Sequence, residues 1–187
     1  TEDGALACAE DLSGGPLIQK LTCFAKDIGA YVVTSVAEAA GERYFHTVVL
    51  VGSEGLIGKY RKVHLSDSER KWANPGDLGF PVFDLEIGRV GLLTGDDLLF
   101  PESSMCLATW GCDIICVSAA LKAPPAIALD GTAVPLPEPI PRGADPMHFL
   151  LWRVRAEQCS TYLAFSNYCG SGYTGTSGVF GPEMETF

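Results

Sequence analysis

The chain has 187 residues and a formal net charge of −10, from 13 basic and 23 acidic side chains. Hydrophobic residues make up 47% of the sequence and charged residues 19%, a globular composition with enough length for one domain and its core. The acidic balance argues against nucleic acid or an anionic membrane surface as the main partner, and no stretch reaches the ~20 apolar residues of a membrane span.

The first part of the chain predicts one helix followed by strands. The helix covers residues 16–28, because proline suits its first turn, apolar residues recur on one face and Gly29 suits its C-terminal cap. The run AYVVTSV predicts a buried strand that ends near Glu38. Next, the runs YFHTVVLVG and LIGKYRKVHL flank a turn at 53–55 and predict a hairpin.

The second part predicts alternating strands and helices around a long loop. The runs PVFDL and RVGLLT form another short strand pair around 86–88, and a helix at 103–110 follows, ended by Gly111. After the strand DIICVSA, six prolines mark residues 122–143 as a loop without regular structure. An amphipathic helix is predicted over 145–158, and the runs TYLAFSN and GVF are the last strands.

These elements predict an α/β layered domain, and residues 1–187 are interpreted as one domain because no second core is evident. The sequence begins at Thr1 without a methionine, so we expect a fragment of a longer chain. Seven cysteines, mostly in apolar runs, indicate buried thiols in the cytoplasm or another reducing compartment. Their spacing fits no zinc motif, and no helix follows the segment GSGYTGTSG, so we predict no metal and no cofactor.

The segment GKYRKVHL contains a lysine with unusual neighbours. On an extended strand, Tyr60, Lys62 and His64 share one face. Aromatic and imidazole neighbours can remove water from the amine, which can then donate a proton or stabilise a developing oxyanion. Glu69 lies close downstream and can orient such a lysine. A solvated lysine near the end of a hairpin strand is the alternative interpretation.

The segment GLLTGDDLLFPE, residues 91–102, ends an apolar run at Gly95. A corner between a strand and a helix is a common place for a nucleophile, but glycine has no side chain to react. Glycine does tolerate the strained backbone of such a corner. We expect one of the next two residues, Asp96 and Asp97, to cap the N–H groups of the following helix.

Together these segments resemble the nitrilase (carbon–nitrogen hydrolase) superfamily. Members carry a lysine in a YRKxHL-type segment and a cysteine in a GxxxCxDxxFPE-type segment, and here Glu69, Trp72 and the PGD triplet at 75–77 lie between the two in the same order. The helix at 16–28 with AYVVTSVAE, the segment RVRAEQCSTYLAFSNYCG and the segment TGTSGVFGPE also resemble family segments. The similarity therefore extends over nearly the whole chain.

The resemblance implies a four-layer α-β-β-α sandwich, incomplete here at both ends. It implies a homo-oligomer or larger assembly that forms through helix faces. It also implies hydrolysis of non-peptide carbon–nitrogen bonds in small amides or nitriles by a Glu–Lys–Cys triad. In that mechanism the cysteine forms a thioester-type intermediate, the glutamate transfers the proton and the lysine stabilises the oxyanion.

Matched to the family's motifs, Lys62 is the triad lysine and Glu69 the glutamate that supports it. Gly95 occupies the nucleophile's position. The family's catalytic glutamate belongs to a strand before the first helix, and we expect this sequence to begin after it. Asn167 matches an asparagine of a later active-site strand, and we assign ligand binding to it and to Asp96.

Two functions fit these matches. The first is a catalytically inactive homologue that acts in binding or assembly, because the thiol is missing. The second is an active amide or nitrile hydrolase, seen here as a nucleophile variant or a fragment. The proline-rich loop at 122–143 is interpreted as the rim of the site, with a polyproline ligand for a partner protein as the alternative.

Overall fold

The computed structural model describes residues 2–122, 146–173, 175 and 177–183. Two short 3-10 turns lie within it, at Glu69–Lys71 and Gly95–Leu99. The helices and strands, in chain order, are α1 Glu2–Ala7, α2 Pro16–Ile28, β1 Val32–Ala40, β2 Arg43–Gly52, β3 Gly55–Arg61, β4 Val82–Leu85, β5 Gly88–Thr94, α3 Pro101–Thr109, β6 Ile114–Ala119, α4 Pro146–Cys159, β7 Tyr162–Asn167 and β8 Gly178–Phe180.

The first sheet is an antiparallel three-stranded meander in the order β1-β2-β3. Its central strand β2 alternates between two apolar environments, as the period of a strand requires. Val48 and Leu50 belong to a core that this sheet shares with the second sheet. Val49 and Val51 belong to a smaller cluster with Ile18 of α2. The sheet is therefore covered on both faces.

The second sheet has five strands in the order β4-β5-β6-β7-β8. Its central pairs β5-β6 and β6-β7 are parallel, whereas β4 and β8 run antiparallel at the two edges. Parallel neighbours need a crossover connection, and α3 joins β5 to β6 while α4 lies between β6 and β7. Both helices pack on the outer face of this sheet.

The layers follow as α2, first sheet, second sheet, and α3 with α4. Contacts of β1 with β6, and of β2 and β3 with β5, join the two sheets. The structure therefore has the predicted four-layer α-β-β-α arrangement. The part of the chain that the structure describes contains no helix long and apolar enough to cross a membrane.

Most predicted elements agree with the structure, with small differences at their ends. Helix α2 has the predicted bounds, and Gly29 ends it in the left-handed conformation with φ +62°. Helix α3 begins earlier than predicted, at Pro101, because proline needs no hydrogen bond for its missing N–H in a first helical turn. No pattern in the sequence predicts α1. Of the predicted loop at 122–143, only Lys122 is described, and the rest lies outside the described residues.

Candidate active site

Gly95 lies where strand β5 ends and a 3-10 turn begins. Its φ of +47° is a conformation that residues with a side chain rarely adopt. A Cβ built on this glycine would lie 3.3 Å from Nζ of Lys62, and of the described residues beyond its chain neighbours only Lys62 would lie within 4 Å of it. A side chain at this position would therefore point at the lysine amine.

Lys62 directly follows strand β3 and is almost completely buried, with 3% of its surface exposed. Its Nζ donates to Oε2 of Glu69 at 2.6 Å and to Oδ2 of Asp96 at 3.0 Å. Its backbone is held on both sides, because its N–H donates to the carbonyl of His46 and its carbonyl accepts from the N–H of Gly76. The alternative of a solvated lysine is therefore wrong.

Glu69 is the counter-charge of this lysine. Its Oε1 contacts Nδ1 of His46 at 2.5 Å, and its Oε2 accepts from the backbone N–H and the hydroxyl of Ser66, both at 2.8 Å. Burial raises the pKa of the Glu69 carboxyl, but hydrogen bonds from His46 and Lys62 outweigh burial and hold this pKa well below its usual range. The carboxylate is therefore ionised beside the ammonium group at neutral pH.

Asp97 is fully buried, and its hydrogen bonds link the turn after β5 to the end of β3 and to the segment that follows β3. Its Oδ2 accepts from the hydroxyl of Tyr60 at 2.7 Å. Its Oδ1 accepts from the backbone N–H of His64 at 2.8 Å and lies 2.7 Å from the ring Nδ1 of the same residue. Burial raises the pKa of the Asp97 carboxyl, although these hydrogen bonds oppose the shift. This aspartate is a structural link rather than a free acid.

The expected aspartate cap of helix α3 is wrong. Phe100 occupies the N-cap position, and no side chain makes a capping hydrogen bond there. Both carboxylates are already used by groups of the first sheet, Asp96 by Lys62 and Asp97 by Tyr60 and His64. Contacts between the sheets therefore determine where these two side chains point.

Asn167, at the end of β7, is 7% exposed and bonds the backbone of two neighbouring segments. Its amide oxygen accepts from the N–H of Leu121 at 2.8 Å, and its amide nitrogen donates to the carbonyl of Gly175 at 2.9 Å. It thus holds the start of the proline-rich segment against the glycine-rich segment. A role for Asn167 in ligand binding stays a prediction.

An open cavity of about 850 Å³ lies beside this cluster. Asp96 belongs both to the lysine cluster and to the cavity wall, and its side chain is 34% exposed. The cavity is lined by Val63, His64, Leu65, Ser66, Asp67, Arg70, Ala73, Asn74, Pro75, Asp96, Leu99 and Phe100. A small ligand in this cavity would therefore have access to Asp96.

No cysteine sulphur lies within 4 Å of a Cβ built on Gly95. All seven are free thiols. Burial raises the pKa of the Cys112 and Cys116 thiols to about 11, so almost none of either is thiolate at neutral pH. Within the described residues, no group of three or more His, Cys, Asp or Glu side chains could hold a metal ion.

Sequence reasoning missed two residues, one in the site and one behind it. One is His46, whose contact with Glu69 crosses from β2 to a 3-10 turn and is not indicated by any pattern in its own segment. Glu38 was taken for the end of a strand, but it is a buried carboxylate bound by Lys59 and Arg61. The alternating basic residues of β3, which lies two strands away from β1 in the same sheet, indicate such a buried carboxylate.

Comparison with known proteins decides the family. A family model for the carbon-nitrogen hydrolases matches residues 2–187. The chain belongs to the carbon-nitrogen hydrolase family. Among curated relatives of this carbon-nitrogen hydrolase domain, a nitrilase of Pyrococcus abyssi is 40% identical over 124 residues, which cover 66% of this chain and 47% of that protein. An (R)-stereoselective amidase of Pseudomonas sp. is 38% identical over 59% of this chain and 39% of that protein.

The solved structures confirm the fold of the carbon-nitrogen hydrolase domain. An amidase from Nesterenkonia sp. AN1, in complex with butyramide, superposes with a TM-score of 0.73 at 24% identity, over 90% of this chain and 60% of that one. Another structure of that amidase contains the acetamide moiety of fluoroacetamide added covalently at the active site cysteine. The present chain spans about half the length of the curated relatives it matches.

Proposed function

We propose that this carbon-nitrogen hydrolase domain binds a small amide or nitrile beside Lys62 and does not hydrolyse it through a covalent acyl intermediate. Its role is then binding or assembly. The observation that carries the proposal is the corner at Gly95, where a side chain would point at the lysine amine but none exists. Covalent hydrolysis in the family needs a thiolate at this point, because the carbonyl or nitrile carbon must be attacked there.

The rest of the site supports ligand binding. Glu69 holds the buried ammonium group of Lys62 in place, and this group can donate a hydrogen bond to a carbonyl oxygen or nitrile nitrogen. Among the described residues, chain neighbours aside, a Cβ at Gly95 would meet only Lys62 within 4 Å, which leaves room for a ligand atom there. A ligand atom can occupy the volume that a thiol would otherwise fill.

An active amide or nitrile hydrolase is the second candidate. The observation that favours it is the intact pair of Lys62 with Glu69, since the oxyanion-stabilising part of the site is complete. In that case Gly95 is a variant at the nucleophile's position, or a group outside this sequence completes the mechanism. The two candidates differ in whether the full-length protein releases ammonia from an amide.

The test uses the full-length protein with Gly95, the Gly95→Cys variant and the Gly95→Ala variant as the matched control. We expect butyramide to raise the melting temperature of the protein with Gly95 without ammonia release. We expect fluoroacetamide to add to Gly95→Cys at position 95 by peptide mass spectrometry, and not to Gly95→Ala. Both substitutions meet the same left-handed backbone and displace the Lys62 amine by a few tenths of an ångström, so they differ only in the thiol.

Two results would overturn the proposal. Ammonia release by the protein with Gly95, lost in Lys62→Ala, would favour the active hydrolase. Failure of butyramide and of the corresponding nitrile to stabilise the protein would exclude the binding function.

A further inference from the structure

We infer that Asp96 makes this site selective for amides or nitriles that carry a positively charged group. The inference rests on the proposed binding function and names the chemical class of the ligand. It comes from the unequal roles of the two carboxylates that contact Lys62.

The charge of Lys62 is already balanced without Asp96. Glu69 contacts the amine at the shorter distance, 2.6 Å against 3.0 Å for Asp96. Glu69 is also fixed by His46 and Ser66, which hold its two oxygens in place. The ammonium group and the Glu69 carboxylate therefore form a neutral pair, and the charge of Asp96 is in excess.

Asp96 is the most exposed member of this cluster. Its side chain is 34% exposed, whereas those of Lys62 and Glu69 are 3% and 15% exposed. Within the part of the chain that the structure describes, its one hydrogen bond joins Oδ2 to Lys62, so Oδ1 is free to accept from a ligand. The second observation is the cavity of about 850 Å³, because Asp96 forms part of its wall.

The other charged residues of the cavity do not reverse the preference for a positively charged ligand. Asp67 adds a second carboxylate, and Arg70 is the guanidinium that opposes them. Nε of Arg70 donates to the backbone carbonyl of Leu65 at 3.1 Å, which orients this exposed side chain along its own segment. The cavity wall therefore carries two carboxylates and one guanidinium.

A ligand's charge decides how it interacts with such a wall. An ammonium or amidinium group next to Asp96 gains an attraction that is stronger than at a fully exposed site, since the carboxylate is two-thirds buried against Lys62. A carboxylate in the same place is repelled, and a neutral group gains neither effect. The amide end of the ligand remains free to meet Lys62 beside Gly95.

The test compares three amides with the same number of carbon atoms that differ in charge: butyramide, 4-aminobutyramide and succinamate. Isothermal titration of the full-length protein gives each dissociation constant. We expect 4-aminobutyramide to bind about tenfold more tightly than butyramide, and succinamate to bind most weakly. The preference should decrease as salt is added, because the cavity is open to solvent.

Three variants locate the effect. Asp96→Asn should reduce the preference for the cationic ligand to about twofold or less, because it removes the charge and keeps the shape. Asp27→Asn, an exposed position on α2, makes the same change in net charge outside the cavity and should keep the preference. Asp67→Asn tests whether the second carboxylate of the cavity, rather than Asp96, produces the preference for the cationic ligand.

The outcomes separate the inference from the proposed function. Equal affinity for butyramide and 4-aminobutyramide overturns the role of Asp96 and leaves amide binding intact. A preference that Asp67→Asn removes and Asp96→Asn keeps also overturns it. Binding of none of the three ligands means that the proposed function itself has failed. If Asp96→Asn does not fold, the inference is tested by whether the preference of the unmodified protein for 4-aminobutyramide decreases as salt is added.

Discussion

Glu38, behind the site, shows how much a single buried side chain contributes to the stability of the folded state. It is 2% exposed, and its oxygens accept from Arg61 at 2.7 and 2.9 Å, from Lys59 at 2.5 Å and from Thr47 at 2.7 Å. Arg61 also lies 3.8 Å over the ring of Phe45. Burial opposes ionisation, but these hydrogen bonds lower the pKa of Glu38 to about 2. The ionised carboxylate therefore stabilises the folded state.

We predict that Glu38→Gln lowers the free energy of unfolding by about 3 kcal/mol near neutral pH, because Arg61 and Lys59 lose their buried partner. The pKa of Glu38 is lower in the folded than in the unfolded chain, so its contribution is complete above the ordinary value of 4.5 and is lost as the pH falls towards about 2. Urea denaturation at several pH values measures both effects.

The difference between Glu38→Gln and the unmodified protein should therefore shrink between pH 4.5 and 2. Glu42→Gln, at an exposed position in the β1–β2 turn, is the matched control and should change stability little at any pH. A difference that stays constant across this range would contradict the role of the Glu38 charge.

The chemistry of the site was partly predictable at the level of single residues. Lys62, Glu69, Gly95 and Asp96 were selected from two short motifs, and the structure brings them together. Their roles towards a ligand stay predictions. The position of Asp97 was not predictable, because its partners come from the other sheet and no pattern in its own segment indicates them.

The loop at 75–77 supports Lys62 by a hydrogen bond to its backbone. The N–H of Gly76 donates to the carbonyl of Lys62 at 2.8 Å, and a Cβ on Gly76 would lie 2.0 Å from the carbonyl oxygen of Arg61. Asp77, the next residue, accepts from Nη1 of Arg61 at 2.8 Å. The loop can approach β3 this closely only with a glycine at the crossing point.

We predict that Gly76→Ala lowers the free energy of unfolding by about 2 kcal/mol or more, because the new methyl group must push the loop away from β3. Ligand affinity should fall as well, since Lys62 loses its backbone support. Gly14→Ala is the control, because a Cβ there meets no atom within 4 Å. Thermal and urea denaturation of both variants measure the effect, and equal stability of the two would contradict it.

Regular elements were easier to predict than the short turns that complete the site. Helix α2 and the β2–β3 hairpin have apolar periodicity and end signals in the sequence. The turn Glu69–Lys71 has only three residues, too few to show a period, and it forms because Glu69 is bound by Lys62 and His46. Local patterns predict long elements, whereas contacts between distant segments determine short ones.

At the scale of the whole molecule, the outer layer of α3 and α4 carries exposed apolar residues. Met105 of α3 is 47% exposed, Trp110 at its end 66%, and Val154 of α4 38%. Exposed apolar groups of this kind often mark an interface. We therefore propose that the full-length protein self-associates through this layer.

We predict that light scattering after size-exclusion chromatography shows a dimer or a larger assembly. A double substitution, Trp110→Lys with Val154→Lys, should shift the protein towards the monomer, because it places charge in an apolar interface. Ile87→Lys is the control, since Ile87 is 67% exposed in the turn between β4 and β5. A monomer at all concentrations, or an equal effect of Ile87→Lys, would contradict the prediction.

The hydrogen bonds around Gly95 affect how sequences of this family should be interpreted. Tyr60 of β3, with Lys62 and His64 just after it, binds the two aspartates of the turn that follows β5, Asp96 and Asp97. These bonds fasten the two sheets to each other. This fastening does not involve a thiol. A family member that has lost its activity still needs these residues to maintain the contact between its two sheets. Their presence in a sequence is therefore evidence of the architecture and does not by itself indicate turnover.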